Sequence, residues 1–442
     1  MPTASDTIDL LIEARWIIPV SPRGAVLTGH AVAIRQGAIH AVLPAAEASA
    51  RYPGAPRVRL EHHALVPGLV NAHTHAAMTL MRGLADDLPL MRWLEDHIWP
   101  AEGRLMSAEF VRDGTLAACA ELLRGGVTCF SDMYFYPEQA AQAALETGLR
   151  AMIGMIAIEF PSPYAADAQD YLAKGLQSRD LLREEALLAF CFAPHAPYTV
   201  SDKTFQSIAT LAAELDLPVH THVHETQDEI RESIARHGVR PLERLGRLGL
   251  VNPGLIAVHA VHLEPAEIAA LSRSGASVVH CPSSNLKLGS GIAPLRELLA
   301  AGVNVALGTD GAASNNRLDL WAEMRLAALL AKGVSGDATA VPAWQALEMA
   351  TLGGARALGL ADRIGSIEPG KRADLTAVNL DALELSPCYD PVSHLVYAAG
   401  REHVSHVWVD GEPRVMDGVL AQLDPEAVAA KTRAWQRKIK SS

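Results

Sequence analysis

His73 and His75, in the stretch "VPGLVNAHTHAAMTLMRG", stand one residue apart at the end of an apolar run. An extended chain turns alternate residues to one face, so the two imidazoles point the same way and could share a metal ion. Taken alone, such a pair serves equally well as a hydrogen-bonded strand end. Other polar residues close apolar runs in the same manner: Asp132, His195, His222 with Glu225, His259, Asn285 and Asp310. Imidazoles and carboxylates suit a divalent cation, and a cation that keeps one position open makes water acidic. Hydrolysis is the chemistry such a set would perform.

Eight apolar runs alternate with helical patterns through the middle of the chain: "ALVPGLVNA", "GVTCFSDM", "RAMIGMIAI", "ALLAFCFAP", "LPVHTHVH", "GLIAVHAV", "ASVVHCPS" and "NVALGTD". Strand and helix in eightfold alternation predict an α/β protein with a closed (β/α)8 barrel, whose chemistry belongs at the carboxyl ends of the strands. The polar residues named above fall at those ends. The two termini differ from the middle. Short alternating runs such as "DLLIEARWIIPV" and "EHVSHVWVDGEPRVMDG" are separated by Gly and Pro, which predicts one small β-sandwich built from both ends. The expected organisation is residues 1–64 and 364–421 in the sandwich, 65–363 in the barrel and 422–442 in a terminal helix.

The chain has 442 residues, 49% of them hydrophobic and 20% charged, the profile of a soluble globular protein with a large core. A net charge of -12 with scattered Lys and Arg disfavours nucleic acid and anionic membranes as partners. The amino-terminal stretch lacks a basic leader, and Glu13 and Arg15 interrupt its apolar residues, so no signal peptide is expected. No apolar run is long enough to cross a bilayer. Five widely spaced cysteines with no Cys-x-x-Cys read as reduced core residues of a cytoplasmic protein.

Together "NAHTHAAMTLMRG", "THVHETQDE", "AVHAVHL", "HCPSSNLKLGSGIAP" and "LGTDGAASNN" resemble the amidohydrolase superfamily. Within it the chain is similar to the 5'-methylthioadenosine/S-adenosylhomocysteine deaminase family. The resemblance implies that His73, His75, His222 and Asp310 hold one divalent metal, zinc or alternatively iron. It makes Glu225 the donor of a proton to the purine ring, His259 the residue that orients the attacking water, and Asp310 the proton shuttle. It places Trp93 and His195 against a nucleoside, Glu102 on the ribose hydroxyls, and the loop bearing Asn285 over the site. Where family members that take S-adenosylhomocysteine carry an arginine, the aligned residue is Met155, which suits a thioether methyl and favours 5'-methylthioadenosine. The fourth run lacks the lysine that bridges two metals in dinuclear relatives, so one metal is expected. His220 then reads as barrel interior, His224 as a residue beside the pocket and His262 as a loop histidine. The resemblance also implies a homo-oligomer. Guanine deamination and triazine hydrolysis are the competing reactions, and a non-catalytic relative acting as an interaction module is the competing class.

Overall fold

The computed structural model describes residues 7–441. Residues 1–6, part of the amino-terminal stretch read above, and residue 442 lie outside it. Four strands come first: β1 (Leu10–Ile17), β2 (Leu27–Arg35), β3 (Ala38–Pro44) and β4 (Arg57–Pro67). Eight parallel strands follow, β5 (Leu69–Thr74), β6 (Val127–Tyr134), β7 (Arg150–Ala157), β8 (Leu188–Pro194), β9 (Val219–Val223), β10 (Leu255–His259), β11 (Ser277–His280) and β12 (Asn304–Leu307), in sequential order. The last four, β13 (Leu375–Asn379), β14 (Val404–Val409), β15 (Glu412–Met416) and β16 (Val419–Leu420), return to the first set. The terminal strands form one mixed sheet in the order β16-β15-β14-β13-β4-β1-β2-β3. The expected barrel and the expected union of the two chain ends are both present.

Helices cover the outside of the barrel, and its interior holds a layer of small apolar residues that includes Val70, Cys129, Met152, Cys191, Val258 and Ala306. Closure is made at the site end. Thr309 N–H donates to Asn71 Oδ1 (3.0 Å), and Asp310 N–H donates to the His73 carbonyl (3.1 Å). The first and eighth strands are thereby locked in the register that brings His73 beside Asp310.

One sequence run divides in the structure. "ALVPGLVNA" spans the end of β4, which belongs to the terminal sheet, and the start of β5, which belongs to the barrel. Both halves are buried, so no change of hydropathy marks the joint. Gly68 does: a Cβ there would lie 2.0 Å from Thr128 Oγ1, and only glycine lets the chain pass this close. Its N–H donates to the Asp374 carbonyl (2.8 Å). The Asp374 side chain accepts from Arg150 Nε (2.9 Å) and Nη2 (3.1 Å), and this buried pair ties the foot of the barrel to the terminal sheet.

An isolated buried charge is far more costly than a paired one. Arg150→Met is therefore expected to cost about 3–5 kcal/mol of stability, because it strands Asp374 in the interior. The double variant R150M/D374L should recover most of that loss in chemical denaturation. Equal stability of R150M and the parent protein would show that the pair does not hold the two layers together.

Candidate active site

The site is assembled from strand ends. His73 lies in β5, His75 is the first residue past its end, His222 sits on β9 and Asp310 follows β12. His73 Nε2 lies 3.3 Å and His75 Nε2 3.2 Å from Asp310 Oδ1, and His222 Nε2 lies 3.2 Å from His73 Nε2. One ligand atom from each of the four residues falls within 4.8 Å of all the others. A tetrahedral zinc with bonds of about 2.0–2.1 Å spaces its ligand atoms about 3.3 Å apart. Asp310 Oδ1 is buried and makes no aligned hydrogen bond, although two imidazole nitrogens stand beside it. A shared cation explains both facts, and the residues present fit one metal.

Each donor is fixed from behind. His73 Nδ1 meets His220 Nε2 at 3.0 Å, His75 Nδ1 donates to the Met133 carbonyl (2.5 Å), and His222 Nδ1 donates to the His195 carbonyl (2.8 Å). These contacts leave every Nε2 free to face the centre. Asp310 Oδ2 accepts from Ser284 Oγ and Ser314 Oγ, both at 2.6 Å. Burial lowers His73 to about 4 and His222 well below its ordinary value, so both rings are neutral donors. Burial also pulls on His75, but the neighbouring Asp310 carboxylate outweighs it and raises the ring to about 9. The same contacts hold Asp310 well below the usual carboxylate range against the burial that would raise it.

A concave cavity with an apolar wall and a polar floor opens above this cluster. Its floor carries His75, His195, His222, Glu225, His259 and Asp310. Glu225 Oε2 lies 3.7 Å from His259 Nε2, and burial pushes Glu225 up to about 7. His259 Nδ1 donates to Asn285 Oδ1 (2.8 Å), which leaves Nε2 for the cavity. His224, His259 and Asp310 have φ of 57°, 70° and 58°. Such left-handed backbone is strained for residues with a Cβ and persists where the surroundings dictate it, as at strand ends that aim side chains into a site.

The helical segment after the first strand forms the wall. Trp93, Leu94, Ile98, Trp99 and Glu102 line it, facing Ile156, Ile158 and Phe160. Tyr134 Oη donates to Glu102 Oε1 (2.7 Å), and burial pushes this carboxyl up to about 7. His195, lowered by burial to about 3, lines the cavity with Nδ1 against Thr199 Oγ1 (3.0 Å).

Of the residues that the resemblance assigns to metal, catalysis or nucleoside, Met155 stands apart. It is absent from the cavity and packs outward, where a Cβ on Gly175 of the covering helix would lie 2.8 Å from its own Cβ. Every residue of β7 is buried, so the sequence offered no phase for deciding which residues face inward. Ile156 is the inward neighbour. Asp132 is also no ligand: its Oδ1 accepts from Ala76 N–H (2.7 Å) and anchors the turn after His75. His220 supports His73, His224 pairs with Glu267 (3.2 Å), and His262 Nε2 donates to the Ser290 carbonyl (2.7 Å), fastening the loop whose Leu288 lines the cavity. Ser284, Ser314 and Tyr134 were not foreseen. Ser314 had a usable signal, since it lies four residues after Asp310 on the incipient helix.

Comparison with known proteins adds independent findings. The amidohydrolase family model matches residues 64–414. A 5-methylthioadenosine/S-adenosylhomocysteine deaminase of Saccharophagus degradans is 48% identical over 98% of this chain and 97% of its own length. The crystal structure of an adenosine deaminase from Xanthomonas campestris, with bound zinc, superposes with a TM-score of 0.97 at 50% identity, covering 99% of this chain and 100% of that one. Guanine deaminase of E. coli gives a TM-score of 0.80 at 25% identity, covering 92% and 99%.

Removing any one of four ligands opens a metal site to water and exchange. His73→Ala, His75→Ala, His222→Ala and Asp310→Ala are each expected to lose bound metal and activity together, measured by elemental analysis beside turnover. A variant among them that kept full metal content would remove its residue from the set.

Proposed function

This chain belongs to the amidohydrolase family, and on that premise we propose that it is a zinc-dependent deaminase of adenine nucleosides with 5'-methylthioadenosine as its preferred substrate. The observation that carries this reading is the pairing of a three-histidine, one-aspartate cluster with a cavity that joins acid and base groups on its floor to an apolar wall bearing one half-buried carboxylate. The deaminase names of relatives at this level of identity support it, and the lower identity to guanine deaminase disfavours that alternative. A non-catalytic relative would have no use for a complete ligand set.

His73, His75, His222 and Asp310 would hold the zinc, which supplies Lewis acidity and lowers the pKa of water to about 7. Asp310 Oδ1, with Oδ2 occupied by two serine hydroxyls, accepts one proton from the attacking water. Glu225, kept protonated near neutrality by burial, gives its proton to the ring nitrogen beside the reacting carbon. The water oxygen can then add to that carbon. His259, its Nδ1 held by Asn285, turns Nε2 to the cavity, where it hydrogen-bonds the water and orients it. On collapse the adduct returns its hydroxyl proton to Glu225, Asp310 passes its proton to the amine, and the carbon–nitrogen bond breaks. An inosine-type base and ammonia leave.

Trp93 and His195 bound the nucleoside, and Glu102 is placed to accept the two ribose hydroxyls. The preference among tails rests on charge. Among the described residues no Lys or Arg lines the cavity, and Leu94, Ile98, Trp99, Ile158 and Phe160 form its wall. A methylthio group is at home there, whereas an amino-acid carboxylate finds no cation. The reading extends to a cytoplasmic homo-oligomer, supported by five free cysteines and by the family resemblance. Among the described residues no helix is long and apolar enough to cross a membrane.

Ammonia release across adenosine, 5'-methylthioadenosine and S-adenosylhomocysteine tests the substrate. A missing charge-assisted bond costs about 1.5–3 kcal/mol, so 5'-methylthioadenosine should exceed S-adenosylhomocysteine in kcat/KM by about tenfold or more. Equal efficiencies would overturn the preference, and no ammonia from any of the three would overturn the function.

Two variants separate roles within the site. Glu102→Ala should lower kcat/KM for nucleosides by about ten- to a hundredfold while metal content holds. Glu225→Gln should keep its metal and lose most of kcat; full turnover would remove the acid role.

A further inference from the structure

Glu323 is a buried carboxylate, 1% exposed, on the helix Leu320–Ser335, and it does not line the cavity. The start of that helix is already capped by Asp319, whose side chain accepts from Ala322 N–H, so capping gives Glu323 no purpose. A polar group sunk in the interior is costly unless it is hydrogen-bonded, and burial pushes this carboxyl up to about 7. Glu323 has two partners, on two different turns. Oε2 accepts from Ser283 N–H (3.0 Å), and Oε1 accepts from Asn315 Nδ2 (2.8 Å).

Those residues are the immediate neighbours of Ser284 and Ser314, the two hydroxyls that donate to Asp310 Oδ2. Asn315 Nδ2 also donates to the Thr309 carbonyl (2.7 Å), directly before Asp310. A carboxylate with one oxygen held by two short hydrogen bonds cannot swing about its last torsion. Its other oxygen then stays where His73 and His75 meet it. Released, the group could turn and exchange one oxygen for the other.

We propose that Glu323 is a positioning residue: by clamping the Ser283–Ser284 and Ser314–Asn315 turns together it fixes both serine hydroxyls on Asp310 and so presents Oδ1 alone to the metal and to the attacking water. The inference rests on the metal reading of the four-residue cluster. It adds a third layer, two bonds removed from any ligand, that no residue of the reaction touches.

The test uses the zinc-loaded full-length protein and the variants Glu323→Gln, Ser284→Ala with Ser314→Ala, and all three changes together. Zinc release to a chromophoric chelator is followed beside kcat and KM for 5'-methylthioadenosine. Glutamine keeps the shape but turns an amide N–H toward one of the two donors. Groups that support metal ligands affect metal affinity or activity by about ten- to a hundredfold, so E323Q should speed zinc release and lower kcat on that scale while KM stays within about threefold. The serine pair should do the same, and the triple variant should be no worse than about twofold below the serine pair, because coupled residues are not additive. Losses that multiply in the triple variant would show that Glu323 acts elsewhere, and unchanged zinc release in E323Q would overturn the proposal outright. Should E323Q fail to fold, Asn315→Ala cuts one arm of the clamp and must move zinc release in the same direction. A parent protein that binds no zinc would instead sink the metal reading itself.

Discussion

An ionised carboxylate at the centre of a barrel is costly to bury, and Asp310 is such a group. Much of the site can be understood as the means of keeping it there. Two imidazoles lie against Oδ1, two serine hydroxyls hold Oδ2, and the backbone N–H donates to the His73 carbonyl across the closing seam. The left-handed backbone of Asp310 is held by the same contacts. What remains unsatisfied is Oδ1 itself, buried with no aligned hydrogen bond and faced by two imidazole nitrogens. That single deficit is what makes the cluster a cation site and not merely a polar core.

The site divides into two halves of opposite character. Its floor is a set of titratable groups whose environments drive them apart: His73, His222 and His195 toward neutrality, Asp310 toward ionisation, Glu225 toward protonation near pH 7. Acid and base roles can coexist because burial and neighbouring charge act on each differently. The wall is apolar except for Glu102 and has no cation. The titratable groups and the apolar wall therefore come from separate elements, the strand ends on one side and the helical segment after β5 on the other.

How much of this was legible in the sequence depended on whether periodicity carried a phase. His73 and His75 could be placed because a polar pair at a strand end declares its own direction, whereas His220, His222 and His224 alternate onto one face and the family resemblance alone picked out His222. Met155 could not be placed, since Arg150–Ala157 is buried on both faces and every alignment of it looks alike. The joint at Gly68 was hidden for the same reason, with apolar residues continuing from one sheet into the next. Ser284, Ser314 and Glu323 come from three separate segments, and only the folded chain shows that they serve one carboxylate. His220 lies in the barrel interior as read, and its contact with His73 Nδ1 shows that the interior also orients the cluster.

The strand order of the terminal sheet bears on how the chain is made. Strands β1 to β4 are synthesised first, but the partner of β4 on its outer side is β13, which the ribosome delivers only after the whole barrel. Through that interval the nascent protein carries an unpaired sheet edge at His63–Pro67, the apolar end of β4. Open edges of this kind invite pairing with another chain. The hazard ends when residues 375–379 arrive. Joining the two termini in one sheet thus secures the finished protein at the expense of a long vulnerable stage in its biosynthesis.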